Sequence, residues 1–300
     1  MNRKHQVGST VFLWSILLSF VGFSQPSIGD EGFKVISEQY TYDKNLNLNP
    51  ETIEVTSYPT FNREQLIFTG VRERVGAYLA TPTKTKGPFP LVLLIDGMGG
   101  SKDRWFNAGS WPNGMETTEA LIDKGFAVLT IDAAMHGERL DTSGIFPEPL
   151  LLRKQNLMST VHAMIQQTVQ DYMRALDYLE TRKEISTTQV GAYGLSMGGA
   201  VTFILAGLDS RIKVAATGVA VVYGNQYSAV NAYNFTPRIK NKPFLMLMGT
   251  TDWYYTPKTA TELFNSIGGK HNQLIIFEGG HKVPLTYTPT IVNWFVDGLL

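Results

Sequence analysis

Short apolar runs alternate with segments of helical periodicity through most of this sequence, and this alternation is its strongest constraint on the fold. Residues 91–95 form a continuous apolar run between a proline and several glycines, which is typical of a strand buried on both faces of a parallel sheet. Between residues 161 and 179, apolar side chains recur every three or four positions, which predicts a long amphipathic helix. Repeated strand–helix units predict an α/β fold with a mostly parallel central sheet and helices on both faces.

The other predicted elements follow the same pattern. Alternating strands at residues 52–56, 65–69 and 75–80 would form an antiparallel edge, where one face of a sheet can remain solvated. Residues 136–156 and 223–240 break the alternation, and both are predicted to be short lid or pocket loops at the carboxyl edge of the sheet. The further predicted strands are residues 126–131, 189–193, 213–222, 244–248 and 273–277, and the further predicted helices are residues 117–124, 198–206, 259–267 and 290–299.

The N-terminus has the pattern of an export signal. Two basic residues precede an apolar run at residues 11–23, which is short for a membrane span. Gly22 and Ser24 are small residues in the positions that a signal peptidase requires for cleavage before Gln25. The sequence therefore predicts a signal peptide at residues 1–24 and a secreted or periplasmic protein without a stable membrane anchor, with an uncleaved anchor as the alternative.

The rest of the chain divides into two parts. Residues 25–50 are polar and rich in asparagine towards their end, which predicts a tether or a loosely packed N-terminal arm. The regular pattern begins at residue 51 and continues to the end of the sequence. Residues 51–300 are therefore predicted to form a single α/β domain.

Composition excludes several classes of function. The sequence has 26 Lys and Arg against 26 Asp and Glu, and this balance gives no indication of a nucleic-acid partner. Cysteine is absent, so disulfides, thiolate metal sites and a cysteine nucleophile are excluded. The five histidines form no metal-binding motif such as H-E-x-x-H, and no metal or other cofactor is expected.

The segment Y-G-L-S-M-G-G at residues 193–199 lies between a predicted strand and a predicted helix. A G-x-S-x-G segment in this position forms a sharp, strained turn that raises the serine above the sheet, so Ser196 is the candidate nucleophile. Met197 directly precedes the predicted helix, and its free N–H group is a candidate donor to an oxyanion. The alternative is a glycine-rich turn that carries an idle serine.

A base and an acid follow in the chain order that such a fold predicts. Asp252 comes just after the second-last predicted strand, and His281 just after the last one. Because both loops lie at the edge where Ser196 is expected, His281 is predicted to be the base and Asp252 the acid that orients it. The alternatives are a turn cap for Asp252 and a surface-loop histidine for His281, with Asp132 and His136 as secondary candidates.

The remaining parts of the predicted site are loops. The glycine-rich segment D-G-M-G-G-S at residues 96–101 is expected to supply the second oxyanion donor, with Met98 preferred and Gly97 as the alternative. A phosphate-binding loop is the rival interpretation, but the segment lacks the G-x-x-x-x-G-K-[ST] pattern. Aromatic residues in loops near the predicted site are candidates for the substrate pocket, and packing of the loop cores is the alternative for each of them. These candidates are Trp105, Tyr223, Trp253 and Tyr254, together with Trp111.

The sequence resembles the α/β-hydrolase superfamily, and within it the dienelactone-hydrolase-like and acetyl-esterase-like branch, from about residue 51 onwards. The likeness depends on G-L-S-M-G-G, on D-G-M-G-G, on Asp252 and His281, and on the segments V-G-A-Y-L-A-T-P (75–82) and D-A-A-M-H-G-E-R (132–139). Dienelactone hydrolases proper carry Cys where this chain has Ser196, and relatives often have His where it has Asp96. Opening of dienelactones is therefore not the expected reaction.

The resemblance and the residues together predict a serine esterase that forms an acyl-enzyme and needs no cofactor. Its expected substrate is a small-molecule or oligosaccharide ester with a short acyl group. A serine exopeptidase or amidase with the same three residues, and a non-catalytic binding module on the same fold, are the alternatives. The oligomeric state is left open.

Overall fold

The computed structural model describes residues 28–145 and 147–300. The predicted signal peptide at residues 1–24 and its cleavage before Gln25 lie outside these residues. Among the helices in the described part, none has the length and apolar content that a membrane crossing needs.

Nine strands of the described chain form one sheet, and most of them are parallel. In chain order, they are β1 (Glu51–Ser57), β2 (Phe61–Thr69), β3 (Arg74–Pro82), β4 (Phe89–Ile95), β5 (Ala127–Ile131), β6 (Ile185–Leu195), β7 (Ile212–Gly218), β8 (Phe244–Gly249) and β9 (Asn272–Phe277). The order across the sheet is β1-β2-β3-β5-β4-β6-β7-β8-β9. The pairs β1–β2, β2–β3 and β3–β5 are antiparallel, and all later pairs are parallel. The antiparallel edge and the parallel centre are as the sequence predicted.

Helices cover both faces of the parallel part. They are α1 (Gly29–Glu38), α2 (Gly114–Asp123), α3 (Pro149–Lys154), α4 (Met158–Leu179), α5 (Met197–Leu208), α6 (Thr236–Ile239), α7 (Pro257–Ile267) and α8 (Thr288–Leu299). Helix α2 packs against α8 and helix α4 against α5, while α5 and α8 each pack on β6 and β7. Strands β4 and β5 are buried along their whole length, as expected for parallel strands covered on both sides. This arrangement confirms the predicted fold class.

Strand β7 is shorter than predicted, because the chain turns away from the sheet after Gly218. Val219 has a φ of +46°, which a β-branched residue rarely adopts and which ends the extended conformation. Its N–H group still donates to the carbonyl of Leu247, at 2.8 Å, and the N–H group of Val221 donates to that of Ser196, at 3.2 Å. The apolar residues after Gly218 therefore line the loop next to Ser196 instead of extending the strand.

The N-terminal arm differs from the loosely packed segment that was expected. Helix α1 is followed by Tyr40, which is buried and donates a hydrogen bond through its hydroxyl to the carbonyl of Ala229, at 2.7 Å. Phe235 is buried between the rings of Phe33, at 5.8 Å, and Tyr40, at 6.1 Å. The arm is polar on average, but a few well-placed aromatic side chains are enough to attach it to the loop between β7 and β8.

Candidate active site

Ser196 stands on a strained turn between β6 and α5. Its φ and ψ angles are +54° and −113°, a conformation that the surrounding structure must impose on a residue with a side chain. Two glycines make the turn possible, because a Cβ atom at Gly194 would lie 2.1 Å from the carbonyl oxygen of Gly198. A Cβ atom at Gly198 would lie 2.2 Å from the carbonyl oxygen of Ile95. The G-x-S-x-G pattern is thus required by close backbone contacts on both sides of the serine.

A continuous chain of hydrogen bonds joins Ser196, His281 and Asp252. The distance from His281 Nε2 to Ser196 Oγ is 2.8 Å, and that from His281 Nδ1 to Asp252 Oδ2 is 2.7 Å. A carboxylate only accepts, so Nδ1 carries the proton in the neutral imidazole and Nε2 accepts from the serine hydroxyl. All three residues are buried. The structure therefore brings the three predicted residues together in the geometry that a serine nucleophile requires.

The second oxygen of Asp252 fixes the orientation of its carboxylate. Oδ1 accepts the N–H group of Tyr254 at 2.8 Å, and this bond closes a tight turn around Trp253. The ring of Tyr254 packs edge-on against the imidazole of His281, with ring centroids 4.6 Å apart. The imidazole is therefore held by a hydrogen bond at each nitrogen and by an aromatic contact.

The secondary candidates have other partners. The carboxylate of Asp132 is fully buried and accepts from Lys102 Nζ and the Lys102 N–H group, both at 2.9 Å. It also accepts from the N–H group of Glu138 at 3.1 Å. His136 is buried with its Nδ1 at 2.8 Å from the carbonyl of Ala134, and burial lowers its pKa to about 4. Both residues hold the loop after β5 in place, and neither contacts the Ser196 hydrogen-bond chain.

The glycine-rich loop after β4 passes directly beside the serine. A Cβ atom at Gly97 would lie 3.2 Å from the Cβ atom of Ser196. The N–H group of Gly97 donates to Asp96 Oδ1 at 2.6 Å, so this candidate donor already has an acceptor. Burial raises the pKa of the Asp96 carboxyl to about 6. Of the two candidates in this loop, Met98 therefore remains the candidate donor to an oxyanion, together with Met197 in the first turn of α5.

A cavity of about 570 Å³ opens beside Ser196 and His281. Four of the five candidate pocket residues line it, namely Trp111, Tyr223, Trp253 and Tyr254. The fifth, Trp105, does not, and this prediction is wrong. Its indole is fully buried and packs edge-on against Tyr193 of β6, at 5.9 Å between ring centroids. Trp105 is part of the core because the turn after the glycine-rich loop folds back onto the sheet.

Trp111 contributes an aromatic wall to the cavity, with its ring 5.9 Å from that of His281. The cationic side chains of the lining are the residues that the sequence did not single out. Arg104 lies in the turn after the glycine-rich loop, while Arg153 and Lys154 come from α3. The sequence placed residues 136–156 over this edge, but because these residues show no periodicity, it did not predict the short helix that carries Arg153 and Lys154.

Arg153 is held against the aromatic wall. Its guanidinium carbon lies 4.3 Å from the ring centroid of Tyr254 and 5.8 Å from that of Tyr223. A cation over an aromatic face keeps its N–H groups free to donate at its edge. In the part of the chain that the structure describes, no group of three or more His, Asp or Glu side chains is arranged to hold a metal ion.

Comparisons with known proteins concern the family and the fold. Residues 75–281, well over half of the chain, match the model of the dienelactone hydrolase family. The protein of Bacillus subtilis (strain 168) that carries the name "Putative hydrolase YtaP" is 34% identical over 148 residues, which cover 47% of this chain and 47% of that protein. The alignment thus spans about half the length of this curated relative.

Two solved structures have the same fold. An acetyl xylan esterase from Paenibacillus sp. R4 superposes with a TM-score of 0.70 at 19% identity, over 92% of this chain and 98% of the other. Acetyl xylan esterase 1 from Thermoanaerobacterium sp. JW/SL YS485 superposes with a TM-score of 0.69 at 18% identity, over 91% of this chain and 94% of the other. The family match and these superpositions establish that the chain belongs to the dienelactone hydrolase family and has the α/β-hydrolase fold.

Proposed function

We propose that the protein is a serine esterase that hydrolyses carboxylic esters with short acyl groups. The observation that carries this proposal is the hydrogen-bond chain from Ser196 through His281 to Asp252, which lies beside an accessible cavity. Membership of the dienelactone hydrolase family supports a hydrolytic reaction. The names of the two superposed esterases agree with an acetyl group on a sugar, although at this level of identity they show the fold alone.

In the first half of the reaction, Ser196 Oγ attacks the ester carbonyl carbon while His281 Nε2 takes its proton. Asp252 holds the imidazole in the required tautomer and stabilises the imidazolium that forms. The N–H groups of Met197 and Met98 stabilise the negative oxygen of the tetrahedral intermediate. When the intermediate collapses, the C–O bond to the alcohol breaks and His281 donates its proton to the departing alkoxide oxygen.

The second half repeats these steps with water as the nucleophile. His281 Nε2 takes a proton from water, which attacks the acyl carbon of the acyl-enzyme. Collapse of the second intermediate breaks the bond to Ser196 Oγ, and His281 returns the proton to that oxygen. The products are a carboxylic acid and the free serine, and no metal or other cofactor takes part.

The charged side chains in the lining of the cavity favour a specificity for esters with short acyl groups. Besides aromatic rings, the walls carry the charged side chains of Arg104, Arg153 and Lys154, whereas a lipase binds its substrate on a broad apolar surface. We therefore expect kcat/KM for p-nitrophenyl esters to be highest from acetyl to butyryl. A rise towards palmitoyl, with activation at an oil–water interface, would contradict the proposal, and preferred cleavage of aminoacyl p-nitroanilides would indicate an exopeptidase or amidase.

A fluorophosphonate probe tests the nucleophile directly. We expect the wild-type protein to be labelled and Ser196→Ala to remain unlabelled. Ser228→Ala is the matched control, because Ser228 also lies near a histidine, with Oγ 3.5 Å from His162 Nδ1, but outside the cavity. Loss of labelling in the control with retention in Ser196→Ala would refute the assignment, and an unlabelled wild-type protein would favour a non-catalytic binding module.

Export from the cytoplasm is part of the proposal and depends on the sequence pattern of the first 24 residues alone. Mass spectrometry of protein made by cells with a functional export pathway is expected to give a chain that begins at or near Gln25. Full-length protein retained in the membrane fraction would contradict it.

A further inference from the structure

Trp253 is an aromatic side chain that the fold presents to solvent at the opening of the cavity. It is 74% exposed, although large aromatic side chains are usually buried for most of their surface. The turn that carries it is fixed, since the Asp252 carboxylate accepts the N–H group of Tyr254 across it. An exposed indole on a rigid turn adds little to folding and is available to a ligand.

One side of this indole is already in contact with protein. A Cβ atom at Gly280 would lie 3.3 Å from the six-membered ring of Trp253, so the indole rests against the backbone just before His281. Its ring is 5.9 Å from the His281 ring and 5.6 Å from that of Tyr254. Trp253 therefore forms a supported platform next to His281.

The direction of the reaction shows which part of an ester would meet this platform. The ester carbonyl oxygen faces the N–H groups of Met98 and Met197, on the side of the glycine-rich loop. The alcohol oxygen has to face His281, because this residue protonates it as it departs. A group attached to the alcohol oxygen is thus directed towards the side of the cavity where Trp253 lies.

The chemistry of the surroundings favours a sugar as that group. One face of a pyranose ring consists of C–H groups and packs on an aromatic ring, while its hydroxyl groups need donors and acceptors at the edge. The guanidinium groups of Arg104 and Arg153 and the ammonium group of Lys154 line the same cavity and supply N–H donors. A long alkyl chain could accept no hydrogen bond from these groups.

We propose that Trp253 is the specificity-determining residue for the alcohol part of the ester, and that it stacks on a sugar ring. This inference rests on the proposed esterase activity and adds its substrate class: acyl esters of carbohydrates, with the sugar as leaving group. Arg104, Arg153 and Lys154 then donate hydrogen bonds to hydroxyl groups of the same sugar.

The test compares two acetyl esters that differ only in the alcohol. Rates of acid release are measured for an acetylated methyl β-xyloside and for ethyl acetate, with the wild type, Trp253→Ala and Trp253→Phe. The ratio of kcat/KM for the xyloside to that for ethyl acetate is expected to fall about three- to tenfold in Trp253→Ala, mainly through a higher KM for the xyloside. Trp253→Phe is expected to retain part of the ratio, because a smaller ring still stacks.

Tyr227→Ala is the matched control, since Tyr227 is equally exposed, at 76%, but does not line the cavity. It is expected to change neither rate. An unchanged ratio in Trp253→Ala would overturn the inference, because a purely structural role of Trp253 lowers both rates together. A wild type that hydrolyses ethyl acetate but not the xyloside would also overturn it while leaving the esterase proposal intact, and a wild type inactive on both esters would overturn the esterase proposal itself.

Discussion

Replacement of Asp252 by asparagine tests whether this carboxylate selects the tautomer of His281 on which the hydrogen-bond chain depends. Asparagine has the same shape, and its oxygen can still accept the Tyr254 N–H group that Asp252 Oδ1 accepts at 2.8 Å. Its NH₂ group then faces His281 Nδ1, where the carboxylate now accepts at 2.7 Å. The imidazole is expected to move its proton to Nε2, so that it can no longer accept the proton of Ser196.

Two lost contributions set the size of the effect. The charge-assisted hydrogen bond that selects the correct tautomer is worth about 1.5–3 kcal/mol. The attraction between the carboxylate and the imidazolium is about 4 kcal/mol for unit charges about 4 Å apart at an effective dielectric constant of about 20, a suitable value for a site that is shielded from solvent but not dry. Because the two contributions partly overlap, and at about 1.4 kcal/mol per tenfold in rate, the expected loss in kcat is about 10³–10⁴.

The measurement is kcat for p-nitrophenyl acetate, together with the midpoint of thermal unfolding for the same preparations. Asp252→Asn is expected to lose activity with a small change in stability, whereas Asp132→Asn is expected to do the reverse, because Asp132 binds the buried Lys102 at 2.9 Å. A kcat for Asp252→Asn within about tenfold of the wild type would refute the reasoning, since triad residues normally contribute far more than this. A larger activity loss in Asp132→Asn at equal stability would transfer the role of acid to that residue.

Three further outcomes are expected. Ser196→Ala should reduce kcat to less than about one thousandth of the wild type without loss of stability, since its positive φ makes the turn strained with either side chain; higher residual activity in a purified sample would count against Ser196. Burial raises the pKa of Asp96 to about 6, so the folded state disfavours its charged form and the wild type loses stability as the pH rises from about 4 to about 6. Urea unfolding of Asp96→Asn should therefore show a gain of up to about 3 kcal/mol at about pH 8 that disappears near about pH 4, and an equal gain at both would disprove this cause. Tyr40→Phe leaves the buried carbonyl of Ala229 without its 2.7 Å hydrogen bond and should lower the free energy of unfolding by about 1–3 kcal/mol, whereas an unchanged value would mean that the N-terminal arm is not held there.

The elements that the sequence predicted best are those with strong periodicity or a fully apolar strand. Strands β4 and β5 and helix α4 are found where the hydrophobic pattern predicted them. Burial on both faces requires a continuous apolar run, and burial of one helix face requires apolar residues every three or four positions, so both can be recognised in the sequence. The pattern was least informative between β7 and β8 and in the N-terminal arm. In these segments an apolar residue makes individual contacts, as Phe235 does with Phe33 and Tyr40. Isolated contacts of this kind leave no periodic pattern in the sequence.

In the candidate site, too, some features could be predicted from the sequence and others could not. The sequence by itself determined that Ser196, Asp252 and His281 would each follow a strand that ends at the same edge of a parallel sheet. Strand direction and chain order both follow from the alternation of elements. Only the tertiary structure decided which side chains enclose the space beside them. Trp105 turned into the core while Arg153 and Trp253 reached the cavity, since the direction of a loop side chain depends on packing against distant parts of the chain, which local sequence does not encode.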